Sequence, residues 1–121
     1  MTAPAPKVLL VDDDETNLLT FGMLLEERGY AVTSARTLAE ARGRSSRERF
    51  QVAILDVHVG HERSPTLVPS LVSDSPGIRV VFLSGSLSHE ELLPGADLVL
   101  AKADDPEKLL AAIDRLAGRG P

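Results

Sequence analysis

The chain has no cysteine and no tryptophan, and only one tyrosine and three phenylalanines in 121 residues. Without cysteine there is no disulfide and no thiolate metal centre, so any metal site must use oxygen or imidazole donors. The scarcity of aromatics removes the stacking platforms that hold single-stranded nucleic acid. Positive charge is in deficit as well: 13 Lys and Arg stand against 18 Asp and Glu, for a formal charge of −5. A phosphate backbone calls for the opposite balance, so direct nucleic-acid binding is not expected. Long apolar runs are missing; "VVFL", Val80 to Leu83, is among the longest, far short of the roughly 20 residues that cross a bilayer as a helix. The opening "MTAPAPK" lacks the apolar segment of a secretory signal. Residues 1–6 read as a disordered lead-in, the expected compartment is the cytoplasm, and no membrane partner is expected.

What is present is ordinary for one soluble domain: 43% apolar and 26% charged residues, enough chain for a single core. Residues 7–121 are read as that domain, with no repeat and no linker. The basic cluster "ARGRSSRER", Ala41 to Arg49, is read as the polar face and end of a surface helix.

Short β-branched runs alternate with helical patterns. Val8–Val11, Val52–Leu55 and Arg79–Leu83 are continuous apolar or nearly apolar runs, as expected of strands covered on both faces. Ala31–Ser34 and Asp97–Leu100 are shorter strands. A helix is predicted over about Glu15–Arg28, with Asp14 and Glu15 at its start and Gly29 as its stop. Thr37-Leu38-Ala39-Glu40 is a capping box opening a second helix. Ser64-Pro65 is expected to cap a third, kept short or irregular by Pro69. Ser88-His89-Glu90-Glu91 is a further capping box whose helix Pro94-Gly95 ends early. Asp105-Pro106 starts the last helix. The pattern is (βα)5: an α/β, flavodoxin-like, three-layer fold with a parallel five-stranded sheet in the order 2-1-3-4-5.

The stretch "VLLVDDDE", Val8 to Glu15, runs four apolar residues into four acids. Crowded carboxylates repel one another, so either something positive sits beside them or the run is a solvated loop. In an open parallel sheet, sites form at the carboxyl ends of strands. Those ends bring together Asp12, Asp13 and Asp14 from the first strand, Asp56 from the third, Ser84 from the fourth and Lys102 from the fifth. Oxygen donors from two strand ends suit a hard divalent cation such as Mg²⁺, and a hydroxyl and an ammonium alongside make a phosphoryl site plausible on chemical grounds.

With these residues in view, the sequence resembles the receiver domain of two-component response regulators. "VLLVDDDETNLL" is similar to that family's first strand and acidic pair, "VAILDVHVG" to its phosphoacceptor strand, "VVFLSGS" to its fourth strand and switch hydroxyl, and "GADLVLAK" to its fifth strand and lysine. The four motifs run in order over about Lys7 to Leu116. The resemblance implies a phosphoacceptor in a phosphorelay rather than an enzyme: self-phosphorylation from a donor and slow autodephosphorylation only. Asp56 would take a phosphoryl group from a histidine kinase or phosphotransfer protein. Asp13, Asp56 and the backbone carbonyl of His58 would ligate Mg²⁺, with Asp12 acting mainly through metal-bound water. Lys102 would pair with Asp56 and then with the phosphoryl oxygens, and Ser84 would move toward them. His58 and Ser86 would tune the lifetime of the phosphoaspartate. A downstream protein partner of unknown identity is implied, and weak homodimerisation is compatible.

Four features depart from the family pattern. Val99 stands where an aromatic switch residue is usual. Ala103 stands where proline often follows the lysine, so a trans bond and a differently shaped loop are expected. Val59-Gly60 replaces Met-Pro after the phosphoacceptor. The stretch from Ser84 to Lys102 is short, which predicts a stunted fourth helix and an unusual output surface. Together they motivate an alternative: a degenerate pseudo-receiver that docks partners independently of phosphorylation. Two further readings carry less weight. "HVGH" places His58 and His61 at a spacing that invites zinc. "DDDET" matches the Asp-x-Asp-x-Thr pattern of haloacid-dehalogenase phosphatases, which would make Asp12 the nucleophile and Asp14 the acid and leave Asp56 without a role.

Overall fold

In a computed structural model that describes residues 5–85, 93 and 95–119, β1 (Lys7–Val11), β2 (Ala31–Ala35), β3 (Val52–Asp56), β6 (Arg79–Ser84) and β7 (Leu98–Ala101) form one sheet. Its order is β2-β1-β3-β6-β7 and every pairing is parallel. This is the expected 2-1-3-4-5 order of a flavodoxin-like fold; the numbering differs because a small antiparallel hairpin, β4 (His58–Val59) with β5 (Glu62–Arg63), intervenes. The helices among the described residues are α1 (Glu15–Glu27), α2 (Leu38–Arg47), α3 (Val68–Asp74) and α4 (Pro106–Leu116). The predicted capping box Ser88–Glu91, its proline stop at Pro94 and Ser86 lie outside the described residues.

Strand alternation makes two cores. Leu9 and Val11, Ala53 and Leu55, and Val80 and Phe82 face α2 and α3, meeting Leu38, Leu67, Val68 and Leu71. Val8 and Leu10, Val52 and Ile54, and Val81 and Leu83 face the other way, meeting Leu18 and Leu25 of α1 and Leu109, Leu110 and Ile113 of α4. Burial on both faces is why these strands are apolar at nearly every position. A helix layer on each side of a parallel sheet leaves the carboxyl edge of the strands open.

Local chemistry sets the helix ends. The Asp14 side chain accepts from the N–H groups of Thr16 and Asn17, Thr37 accepts from Glu40, and Asp105 accepts from Glu107 with Pro106 in the first turn. Such caps satisfy amides that a helix leaves without partners. Gly29, at φ +90°, carries the chain out of α1. The basic cluster is, as expected, the exposed face and end of α2, with Arg44 and Arg47 in its last turn, where cations favour the helix dipole.

The third helix starts later than expected. Ser64 opens a 3₁₀ turn (Ser64–Leu67), its side chain caps nothing, and Leu67 stands at the N-terminus of α3. The reason lies in the preceding hairpin. The Ser64 N–H donates to the carbonyl of Val57 at 2.9 Å, which turns the Ser64 side chain into the core. Pro69 falls in the first turn of α3, where its missing N–H costs no intrahelical bond, and the helix is short, seven residues.

Candidate functional site

The parallel register explains why the acids meet. Val11 pairs with Leu55, so the next residues, Asp12 and Asp56, leave adjacent strands side by side. Asp56 pairs with Leu83, and Ser84 pairs with Ala101, which places Ser84 one step and Lys102 two steps further along the same edge. The structure therefore brings Asp12, Asp13, Asp56, Ser84 and Lys102 to one end of the sheet. Ser84 is half-buried, and its carbonyl accepts from the Lys102 N–H at 2.9 Å.

Carboxylate oxygens of Asp12, Asp13 and Asp56 lie within 4.8 Å of one another. Lys102 holds two of them: its Nζ is 2.9 Å from Asp56 Oδ2 and 3.2 Å from Asp12 Oδ2. Asp12 is buried, and its Oδ1 accepts from the Asp14 N–H at 2.9 Å. Asp13 is exposed, and its Oδ2 accepts from the Gly60 N–H at 3.1 Å. Burial pushes the Asp56 carboxyl upward. Lys102 pulls it down, the charge of Asp12 raises it, the backbone of His58 lowers it, and the net direction is up. Burial would lower the Lys102 ammonium, but hydrogen bonds and charge from Asp56 and Asp12 outweigh it and hold the group above its ordinary value.

One ammonium facing three carboxylates leaves an excess of negative charge on hard oxygen donors, which fits a divalent cation. Among the described residues this is the one group of three acidic or histidine side chains close enough to share an ion; His58 and His61 form none. Asp14, the acid of the phosphatase reading, is occupied as the cap of α1. Below the pocket, a cavity of about 200 Å³ between α1 and α4 is lined by Leu18, Phe21, Leu24 and Leu109 and reaches Asp12 and Lys102.

Two features escape the sequence reading. The loop after Asp56 is a hairpin, and its Gly60 N–H reaches Asp13. The available signal is the pair Gly60-His61 between His58-Val59 and Glu62-Arg63, since glycine at the first central position of a two-residue loop is a hairpin turn signature.

A doubly wound α/β domain with a lysine-bridged acidic pocket at the carboxyl edge of its sheet is the class of protein that fold and site define. The response regulator receiver domain family matches residues 8–114, and the chain belongs to that family, whose members are signalling modules. Alginate biosynthesis transcriptional regulatory protein AlgB of Pseudomonas aeruginosa is 30% identical, over 93% of this chain and 26% of its own length. Protein PetR of Rhodobacter capsulatus is 32% identical, over 100% of this chain and 52% of its own. The chain thus spans about a quarter and about half of these relatives. Among solved structures, a response regulator from Burkholderia pseudomallei with a phosphorylated aspartic acid, calcium ion and citrate superposes with a TM-score of 0.82 at 32% identity, over 93% of this chain and 69% of that one. Chemotaxis response regulator CheY4 of Vibrio cholerae gives 0.84 at 28% identity, over 93% and 98%. No helix among the described residues is long and apolar enough to cross a membrane.

Proposed function

We propose that residues 7–121 form a phosphoacceptor receiver domain that takes a phosphoryl group onto Asp56 from a phosphohistidine on a histidine kinase or phosphotransfer protein, and that its state is read by a downstream protein. The observation that carries this reading is the Lys102 ammonium bridging Asp12 and Asp56 beside Asp13.

Asp13 and Asp56, with the backbone carbonyl of His58, would hold Mg²⁺, and Asp12 would reach it through water. When bound, the ion neutralises charge on the phosphoryl oxygens. The protein's own groups do the rest. A carboxylate oxygen of Asp56 attacks phosphorus, the P–N bond of the phosphohistidine breaks, and the imidazole leaves with the electron pair and takes up a proton. Lys102 pairs with Asp56 beforehand and then faces the oxygens of the transferred group, a fixed charge aimed at developing charge. Ser84, one strand further, supplies a hydroxyl to the same oxygens. Asp12 is buried and Asp56 partly buried, which limits water at the acyl phosphate. Cytoplasmic location follows from this chemistry as part of the same proposal.

Intact-mass spectrometry with acetyl phosphate tests the reading. Expected is a Mg²⁺-dependent gain of one phosphoryl group that Asp56→Asn abolishes. An unmodified Asp56 with both acetyl phosphate and a phosphohistidine donor would overturn it. That outcome would favour the docking-module alternative, which is motivated by Val99 standing 38% exposed on β7 without an aromatic ring.

A further inference from the structure

We infer that the β4–β5 hairpin is a latch on the acidic pocket and that the Gly60 backbone N–H positions Asp13 for a divalent cation. The inference rests on the receiver reading above and adds to it a positioning group for Asp13.

The hairpin is short and anchored at both ends. His58 pairs with Arg63 and Val59 with Glu62, leaving Gly60 and His61 as the loop. Gly60 adopts φ +62°, and no described non-glycine residue has positive φ. That combination matches a turn with glycine first, which bends with the twist of the strands. At its base, Val59 is buried in the core beside Leu67 and Val68, and the Ser64 N–H closes onto the Val57 carbonyl. At its tip, the Gly60 N–H meets Asp13 Oδ2 at 3.1 Å, although 47 residues separate the two.

Asp13 needs such a partner. Asp12 and Asp56 are held by Lys102, whereas Asp13 is exposed and its carboxylate accepts the Gly60 N–H. An exposed carboxylate samples several rotamers, and a cation must select one. A carboxylate has about four lone-pair sites, so one N–H leaves room for an ion while orienting the group. Groups that orient metal ligands typically change metal affinity by about 10- to 100-fold. The bond is available only because Gly60 stands where the resembling family pattern has proline, which has no N–H to give. Linkage requires the reverse effect too: an ion that fixes Asp13 must tighten the hairpin.

The test uses the full chain, Mg²⁺ calorimetry and amide hydrogen exchange by NMR. The Gly60 N–H is expected to be protected in the wild type, more so with saturating Mg²⁺, and unprotected in Asp13→Ala. The double variant Val59→Met/Gly60→Pro, which restores the family pattern, is expected to bind Mg²⁺ about tenfold more weakly. A Gly60 N–H that exchanges freely, or whose exchange is indifferent to bound Mg²⁺, overturns the latch without need of any variant. So does unchanged Mg²⁺ affinity in a folded double variant. A wild type that binds no Mg²⁺ and gains no phosphoryl group defeats the receiver reading, while Gly60 protection lost in Asp13→Ala separately reports the hydrogen bond.

Discussion

Tyr30 offers a measurement of how tightly the last helix is fastened. Its ring is 3% exposed, and its hydroxyl donates to Asp114 Oδ1 of α4 at 2.6 Å. Arg28 grips the other oxygen of Asp114 at 2.6 Å and also Glu107 at 2.6 Å, and Arg119 lies over the Tyr30 ring at 4.6 Å. Burial, then the bond to Asp114, pushes the phenol from 10.0 up to about 12. Because the folded value is raised, the contribution to stability is fully present below the unfolded value of 10, declines as pH rises from there, and is lost above about 12. At about 1.4 kcal/mol per pH unit, the displacement corresponds to about 2–3 kcal/mol of stability lost across that pH window. Tyr30→Phe removes the hydrogen bond to the Asp114 carboxylate and should lower stability at pH 7 by about 2 kcal/mol, the range for a hydrogen bond to a charged group, or roughly 8 °C in Tm for a chain of this size. The gap should close as pH passes 12. With one tyrosine and no tryptophan, phenolate absorbance reads the group directly in the folded protein, and a denatured sample gives the reference. A folded midpoint near 10, or a Phe variant as stable as the wild type, would refute the reasoning.

Other consequences are more local. Ser75→Ala removes the acceptor for the buried Phe50 N–H at 2.9 Å, and urea melts should show a loss of about 1–3 kcal/mol. Asp105→Ala removes the cap of α4 and should cost about 1 kcal/mol by the same assay. Mg²⁺ at a hundredfold excess over its Kd should stabilise the fold by about 2.7 kcal/mol, and thermal melts of Asp13→Ala should show little of that gain. Lys102→Met should slow phosphoryl incorporation at least about tenfold, since a charge aimed at the reacting oxygens is lost; intact-mass time courses would detect it.

The sheet is legible in the sequence because parallel strands covered on both faces leave unbroken apolar runs, and Val8–Val11 and Val52–Leu55 follow that rule. Thr37, Asp14 and Asp105 are legible for a different reason, since a cap depends on residues within three positions. Ser64 misleads because a capping signature says nothing about an upstream hairpin that claims the residue's N–H and turns its side chain inward. The Arg28–Tyr30–Asp114 fastening leaves no local signal, because its partners lie more than 80 positions apart. The convergence of Asp12, Asp56, Ser84 and Lys102 is an intermediate case: no spacing encodes it, but the strand order does once the strands are placed.

The acidic run that opens the chain is explained only partly by Lys102. One ammonium meets Asp12 and Asp56, which leaves the cluster short of positive charge. Backbone dipoles meet part of that shortfall. Asp12 accepts from the Asp14 N–H, Asp13 from the Gly60 N–H and Asp56 from the His58 backbone. Each carboxylate thus has one backbone amide partner. Two of those three amides belong to the hairpin segment after Asp56, so that segment contributes to the electrostatics of the pocket as well as to its outline. A sequence displays carboxylates by name, whereas an N–H is common to nearly every residue and becomes informative only when a turn aims it. That is why the acids of this site and Lys102 were visible from the chain alone and the amides that meet them were not.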